Sequence, residues 1–125
     1  MFPETETIAE LYERLVNSFM DIIVLARLRK SNDPMSGYDV IKFIHKKFHT
    51  LVSSGTVYAL LYSMERDGLI KGRRLSRKRV YTITEKGEKM IESILKSKEE
   101  IQLFVRELIG KQATKLYSLQ AQVSP

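Results

Sequence analysis

The stretch from Ser53 to Thr84, SSGTVYALLYSMERDGLIKGRRLSRKRVYTIT, constrains the fold most, because a helical period gives way to a strand period within it. Two serines and a glycine precede Thr56, and Ser53 or Ser54 can accept a hydrogen bond from a free N–H of a first helical turn. Val57, Leu60, Leu61 and Met64 recur at helical spacing, so that side packs inward while Thr56, Ala59, Ser63 and Arg66 face out. Gly68 follows as the expected C-cap. Beyond it, Leu69 to Arg74 and Arg79 to Ile83 read as two short strands joined by the polar tip Leu75-Ser76-Arg77-Lys78. Alternation makes Tyr81 and Ile83 the inward pair and turns Val80 and Thr82 outward.

Charge singles out the same stretch. Lys71, Arg73, Arg74, Arg77, Lys78 and Arg79 lie within it with no acidic residue between them. Taking these six from the 21 Lys+Arg leaves 15 basic residues against 15 acidic ones, so the formal net charge of +6 can be assigned to one hairpin. A single-sign patch beside a helix of this kind is the footprint of a protein that lies on a phosphate backbone.

Several classes of function are disfavoured. The chain has no cysteine, which removes disulfides, thiolate zinc sites and thiol redox chemistry. No apolar run is long enough for a bilayer, and MFPETETIAE is acidic where a signal peptide is basic and then apolar; a cytoplasmic protein of one domain is expected, with no membrane partner. His45 and His49 stand i, i+4, but HKKFH lacks the glutamate of a zinc protease helix. Glu85, Glu88 and Glu92 have no acid/base partner, Ser53 and Ser54 have no adjacent histidine and carboxylate, and no glycine-rich phosphate loop exists. Neither an enzyme nor a metal or cofactor site is expected.

In chain order, Pro3 and Glu4 suit a helix entry, and Ile8, Leu11, Tyr12, Leu15 and Val16 form one apolar stripe. Ser18 with Asp21 reads as a capping box ahead of a first core helix from about Phe19 to Arg29; the alternative is one bent helix over residues 5 to 29. Lys30 to Met35 is a loop by composition. Ser36 with Asp39 repeats the cap, and Val40, Ile41, Ile44 and Phe48 give the second helix its buried side. His49 to Val52 connects it to the third helix. From Thr84 a long helix is expected, with Ile91, Ile94, Ile101, Val105 and Leu108 at seam positions, flanked by Met90, Leu95, Phe104 and Ile109 and interrupted by Lys98. Gly110 ends or bends it, Ala113 to Gln122 can continue it, and Val123 to Pro125 should fray.

The expected fold is therefore mainly α with a small β-hairpin: a winged helix-turn-helix over residues 18–84, an N-terminal helix over 1–17 supporting a dimer, and a C-terminal dimerisation helix over 85–122. At this point SGYDVIKFI, SSGTVYALLYSMERDGLI and VYTITEKGEKMI together resemble the short-chain branch of the PadR family of winged helix transcriptional regulators. The matching positions are Gly37-Tyr38, Ser54-Gly55-Thr56-Val57-Tyr58, Glu65 with Gly68-Leu69-Ile70, and Tyr81-Ile83-Thr84-Glu85-Gly87. Ala59 and Ser54 stand where the family often has proline, and the absence of tryptophan argues against a tryptophan-stacked drug pocket. The resemblance implies a homodimeric repressor of transcription.

The residues assign roles within that reading. Ser53, Ser54, Thr56, Tyr58, Tyr62 and Ser63 are the candidate DNA contacts of the third helix, and Lys71, Arg73, Arg74, Arg77, Lys78 and Arg79 those of the wing. Leu11, Leu15, Met90, Ile91, Ile94, Leu95, Ile101, Phe104, Val105 and Leu108 are the candidate dimer interface. Double-stranded DNA and a second copy are the expected partners, and a small hydrophobic effector would sit at the dimer seam near Phe104, Tyr12 and Phe19. The competing readings are a winged helix that binds an acidic protein and a non-specific architectural DNA binder.

Overall fold

The computed structural model describes residues 5–110. Its elements run α1 (Glu6–Ser18), α2 (Met20–Ser31), β1 (Met35–Ser36), α3 (Gly37–Phe48), α4 (Ser54–Arg66), β2 (Ile70–Leu75), β3 (Lys78–Ile83), α5 (Glu85–Lys96) and α6 (Lys98–Ile109). The chain divides after Ile91 into two compact units. Readings that fall on Pro3, Glu4, Ala113 to Gln122 and Val123 to Pro125 lie outside the described residues.

The first unit is held by one apolar cluster in which Leu25, Ile44, Val57, Leu61 and Ile91 are fully buried, with Met20, Val24, Leu28, Val40, Met64 and Ile70 nearly so. Each such side chain contributes about 1.5–3 kcal/mol of burial. Val40 and Ile44 on α3 and Val57, Leu61 and Met64 on α4 are positions that helical spacing assigns to the inner sides, whereas Met20 and Val24 take the buried side of α2 and Phe19 is exposed.

Local chemistry sets the element ends. Ser36 and Asp39 form the expected capping box: Asp39 N donates to Ser36 Oγ (3.1 Å) and Ser36 N to Asp39 Oδ2 (2.9 Å). That backbone donor is the main reason the Asp39 carboxyl lies below its ordinary pKa. The Ser18–Asp21 box, by contrast, does not form. Phe19 N donates to Leu15 O and Ile23 N to Phe19 O, both at 2.9 Å, so Phe19 closes the last turn of α1 and opens the first turn of α2. α2 starts after Phe19 without a side-chain cap, and Asp21 accepts from Ile22 N instead. Two separate helices are observed rather than one bent helix, and α2 starts one residue after the expected Phe19 and runs two past Arg29.

Three antiparallel strands make the sheet, in the order β1-β3-β2. The unexpected member is β1, which pairs Met35, the end of the expected loop, with Tyr81 and the cap residue Ser36 with Val80. It makes β3 the middle strand, and the outward assignment of Val80 is corrected: Val80 is 3% exposed and Tyr81 7%, while Thr82 and Ile83 are half-buried. The expected long C-terminal helix is also interrupted, at Ser97 (φ −98°, ψ 14°), where α5 gives way to α6.

One corner joins the helices to the sheet. α4 ends with Gly68 at φ 79°, where Leu69 N donates to Met64 O (2.9 Å) and Gly68 N to Glu65 O (3.0 Å), closing the last turn. The Thr84 hydroxyl lies 2.6 Å from Gly68 O and 2.9 Å from Leu69 O, shares its proton between them, and accepts from Gly87 N (3.1 Å) at the start of α5. Gly87 lies against this corner so closely that a Cβ there would meet the Leu69 carbonyl and sit 2.9 Å from Ile83 Cγ1. Gly87→Ala is therefore expected to destabilise the fold by about 1–3 kcal/mol. Gly55→Ala, in an exposed first turn with nothing within 4 Å, should instead be neutral or stabilising by up to about 1 kcal/mol; urea denaturation of both variants checks the contrast.

Candidate nucleic-acid interface

α4 presents its N-terminal half to solvent. Ser53 caps it, accepting from Thr56 N (3.1 Å) and donating to Thr56 Oγ1 (2.7 Å), which leaves further first-turn N–H groups and the positive end of the helix dipole outward. Ser53, Ser54 and Thr56 are exposed, as are Tyr58 (51%) and Tyr62 (67%) one turn apart. Arg66 stands over the Tyr62 ring at 5.8 Å and donates weakly to the half-buried Ser63 hydroxyl. The Tyr58 ring packs on Gly37, where a Cβ would lie 2.7 Å from its Cζ, so the start of α3 is drawn against α4. Tyr38, next in the chain, is 62% exposed with Lys42 Nζ 5.3 Å above its ring. Neither Tyr38 nor Lys42 was among the candidate contacts.

The wing is the β2–β3 hairpin, closed by Leu75 opposite Lys78 around a two-residue turn with Ser76 at φ 58°. All six hairpin cations are exposed. Opposed pairs share a face, so Arg74 faces Arg79 and Gly72 faces Tyr81 on one side, while Lys71, Arg73 and Lys78 belong to the other. Arg79 differs from the rest, because its Nη2 donates to Glu65 Oε2 (2.7 Å), which also accepts from Gly72 N (3.0 Å). Its guanidinium crosses Gly72, where a Cβ would sit 2.5 Å from Nε, and lies 5.9 Å over the Tyr81 ring. The hydrogen bond from Arg79, then that from Gly72, holds Glu65 below its ordinary pKa; the same bond raises Arg79. Lys71, Arg73, Arg74, Arg77 and Lys78 make no ion pair among the described residues.

This arrangement of helix and basic wing falls within residues 24–93, which match the transcriptional regulator PadR-like family. The chain belongs to that family. A PadR-like transcriptional regulator from Bacillus cereus is 25% identical, with a TM-score of 0.62 over 77% of this chain and 96% of that one. A PadR family regulator from Eggerthella lenta shares the fold at 18% identity, with a TM-score of 0.66 over 83% of this chain and 93% of that one. A winged-helix DNA-binding protein from STIV is 25% identical, with a TM-score of 0.57 over 64% of this chain and 87% of that one. The curated proteins include no match. The fold is thus the winged helix DNA-binding fold of a PadR-like regulator, mostly helical with a small antiparallel sheet.

Of the residues that this PadR-like chain was expected to use for dimerisation, Ile91 is corrected: it is fully buried in the core of the first unit and anchors the start of α5. Met90 also packs against that core. On α1, Leu11 and Leu15 are exposed beside Ile8, Tyr12 and Phe19, while Val16 is buried. In the second unit Leu95, Ile101, Phe104 and Leu108 are exposed, and Ile94 and Val105 are half-buried. An apolar cleft of about 340 Å³ in the first unit is lined by Tyr12, Leu15, Val16, Phe19, Ile23 and Phe48 with Lys47. Glu85 and Glu92 pair with Lys89 and Lys96 one turn on. The described residues contain no cluster of metal-ligating groups and no helix long and apolar enough to cross a membrane.

Because the Glu65 pKa is depressed in the folded chain, the clasp that its carboxylate makes on Arg79 Nη2 and Gly72 N is intact at neutral pH and is lost as the pH falls through the carboxylate range. The Gly72 amide resonance is expected to move upfield during an acid titration, with a midpoint below the ordinary glutamate value. Glu65→Gln should abolish that titration.

Proposed function

We propose that this PadR-like chain is a homodimeric transcriptional repressor that occupies an operator overlapping a promoter. The N-terminal half of α4 enters the major groove with Ser53, Ser54, Thr56, Tyr58, Tyr62 and Ser63 towards base edges and phosphates. Lys71, Arg73, Arg74, Arg77 and Lys78 follow the adjacent backbone and minor groove. The observation that carries this reading is the set of five wing cations without ion pairs beside an exposed, hydroxyl-rich helix N-terminus. A counterion-releasing surface of that kind supplies the sequence-independent part of affinity.

α4 carries no Asn or Gln and its one Arg, Arg66, lies in its last turn, so bidentate base reading is scarce along it. Specificity then rests largely on duplex shape sensed by the wing and on the spacing of two half-sites, about one helical turn apart in a dimer. The dimer forms through Leu11 and Leu15 of the α1 stripe and through Ile94, Leu95, Ile101, Phe104, Val105 and Leu108. The Tyr12–Phe19 cleft is where a small hydrophobic effector would enter.

Fluorescence anisotropy tests the reading, using the duplex upstream of the chain's own coding region and a shuffled duplex at several salt concentrations. The expected result is tighter binding to the upstream duplex that persists at physiological salt. Equal binding to both would leave an architectural role, and binding to neither would favour a protein partner. In the Arg77→Ala/Lys78→Ala double variant affinity should fall for every duplex, with the slope of log K against log salt shallower by about 0.9 for each lost phosphate contact. An unchanged slope would remove the wing tip from the interface.

A further inference from the structure

A single carboxylate joins the wing to α4. Glu65, in the last turn of the helix, accepts from Gly72 N on the edge strand β2 (3.0 Å) and from Arg79 Nη2 on the middle strand β3 (2.7 Å). The sequence makes room for this contact, because any side chain at position 72 would collide with the Arg79 guanidinium. The Gly72 amide would otherwise be an open donor on a sheet edge. Arg74 stands directly opposite Arg79, so without Glu65 two like charges would face each other across the hairpin.

We propose that Glu65 is a positioning residue for DNA recognition: through Arg79 and the Gly72 amide it holds the wing at one angle to α4, so that both meet a single duplex in one register. Arg79, counted among the candidate DNA contacts of the wing, acts within the clasp instead. The inference rests on the DNA-binding reading above and makes a prediction opposite in sign to plain electrostatics. Deleting a carboxylate beside phosphates raises the net positive charge and frees Arg79, which by charge alone tightens binding to every duplex. If the clasp positions the wing, the same deletion loses discrimination.

The test uses the full chain, the duplex that the wild type enriches from a randomised pool, and a shuffled duplex of the same composition. Glu65→Ala is expected to cut the preference for the enriched duplex roughly tenfold, about the effect of one mismatched base pair, while shuffled-duplex affinity holds or rises. Arg79→Ala should lose the same preference with an unchanged salt slope, and the Glu65→Ala/Arg79→Ala double variant should be no worse than either single one. Glu65→Gln, which keeps an acceptor for both donors, should retain most of the preference. If Glu65→Ala does not fold, judged by its thermal melt, Glu65→Gln and Arg79→Ala carry the test. A wild-type preference that survives in both Glu65→Ala and Arg79→Ala overturns the inference alone, as does a slope shallower by about 0.9 in Arg79→Ala, which would mark a phosphate contact. A wild type that enriches no duplex overturns the DNA-binding reading and this inference together.

Discussion

The corner at Gly68 and Leu69 is what the rest of the structure depends on. A left-handed glycine ends α4, and the two carbonyls at the turn are taken up by the Thr84 hydroxyl and backbone from the far end of β3. The same hydroxyl accepts from Gly87 and so starts α5, while Lys86 Nζ reaches Asp67 O at 2.7 Å. Each hydrogen bond contributes only about 1 kcal/mol. Their convergence matters more than their sum, because one corner sets the directions of a helix, both wing strands and the following helix. The glycine at position 87 is required by that closeness.

The surface ion pair between Glu65 and Arg79 plays a different part. With its side chains 29% and 51% exposed, it is screened by solvent and contributes little to global stability. Its value is geometric, since one carboxylate ties two strands to the end of α4. The remaining hairpin cations carry no such duty. The charge of the hairpin is therefore divided between one arginine that shapes the wing and five cations that face solvent.

Much of this was legible in the sequence, for local reasons. The Ser36–Asp39 box, the Ser53 cap and the glycine after α4 are contacts between residues a few positions apart, and the buried positions of α3 and α4 follow a single period. What escaped depends on partners far along the chain. β1 is two residues long and exists only through pairing with β3, and that pairing makes β3 the middle strand in which Val80 is buried. Ser18 carries the right signature, but it is the last residue of α1, and the cap position of α2 falls one residue later, on Phe19. Ile91 fits a heptad seam equally well as a core position, and periodicity cannot separate the two. Glu65 and Arg79 are brought together by the turn at Gly68, with Gly72 offering the only visible hint of a close approach.

The most direct test of the central claim, that helix and wing engage one duplex together, is hydroxyl-radical footprinting of the wild-type chain on its enriched DNA. The account predicts two protected clusters of sugars about one helical turn apart, each with a minor-groove flank beside a major-groove centre. Uniform protection along the duplex, or none, would contradict it.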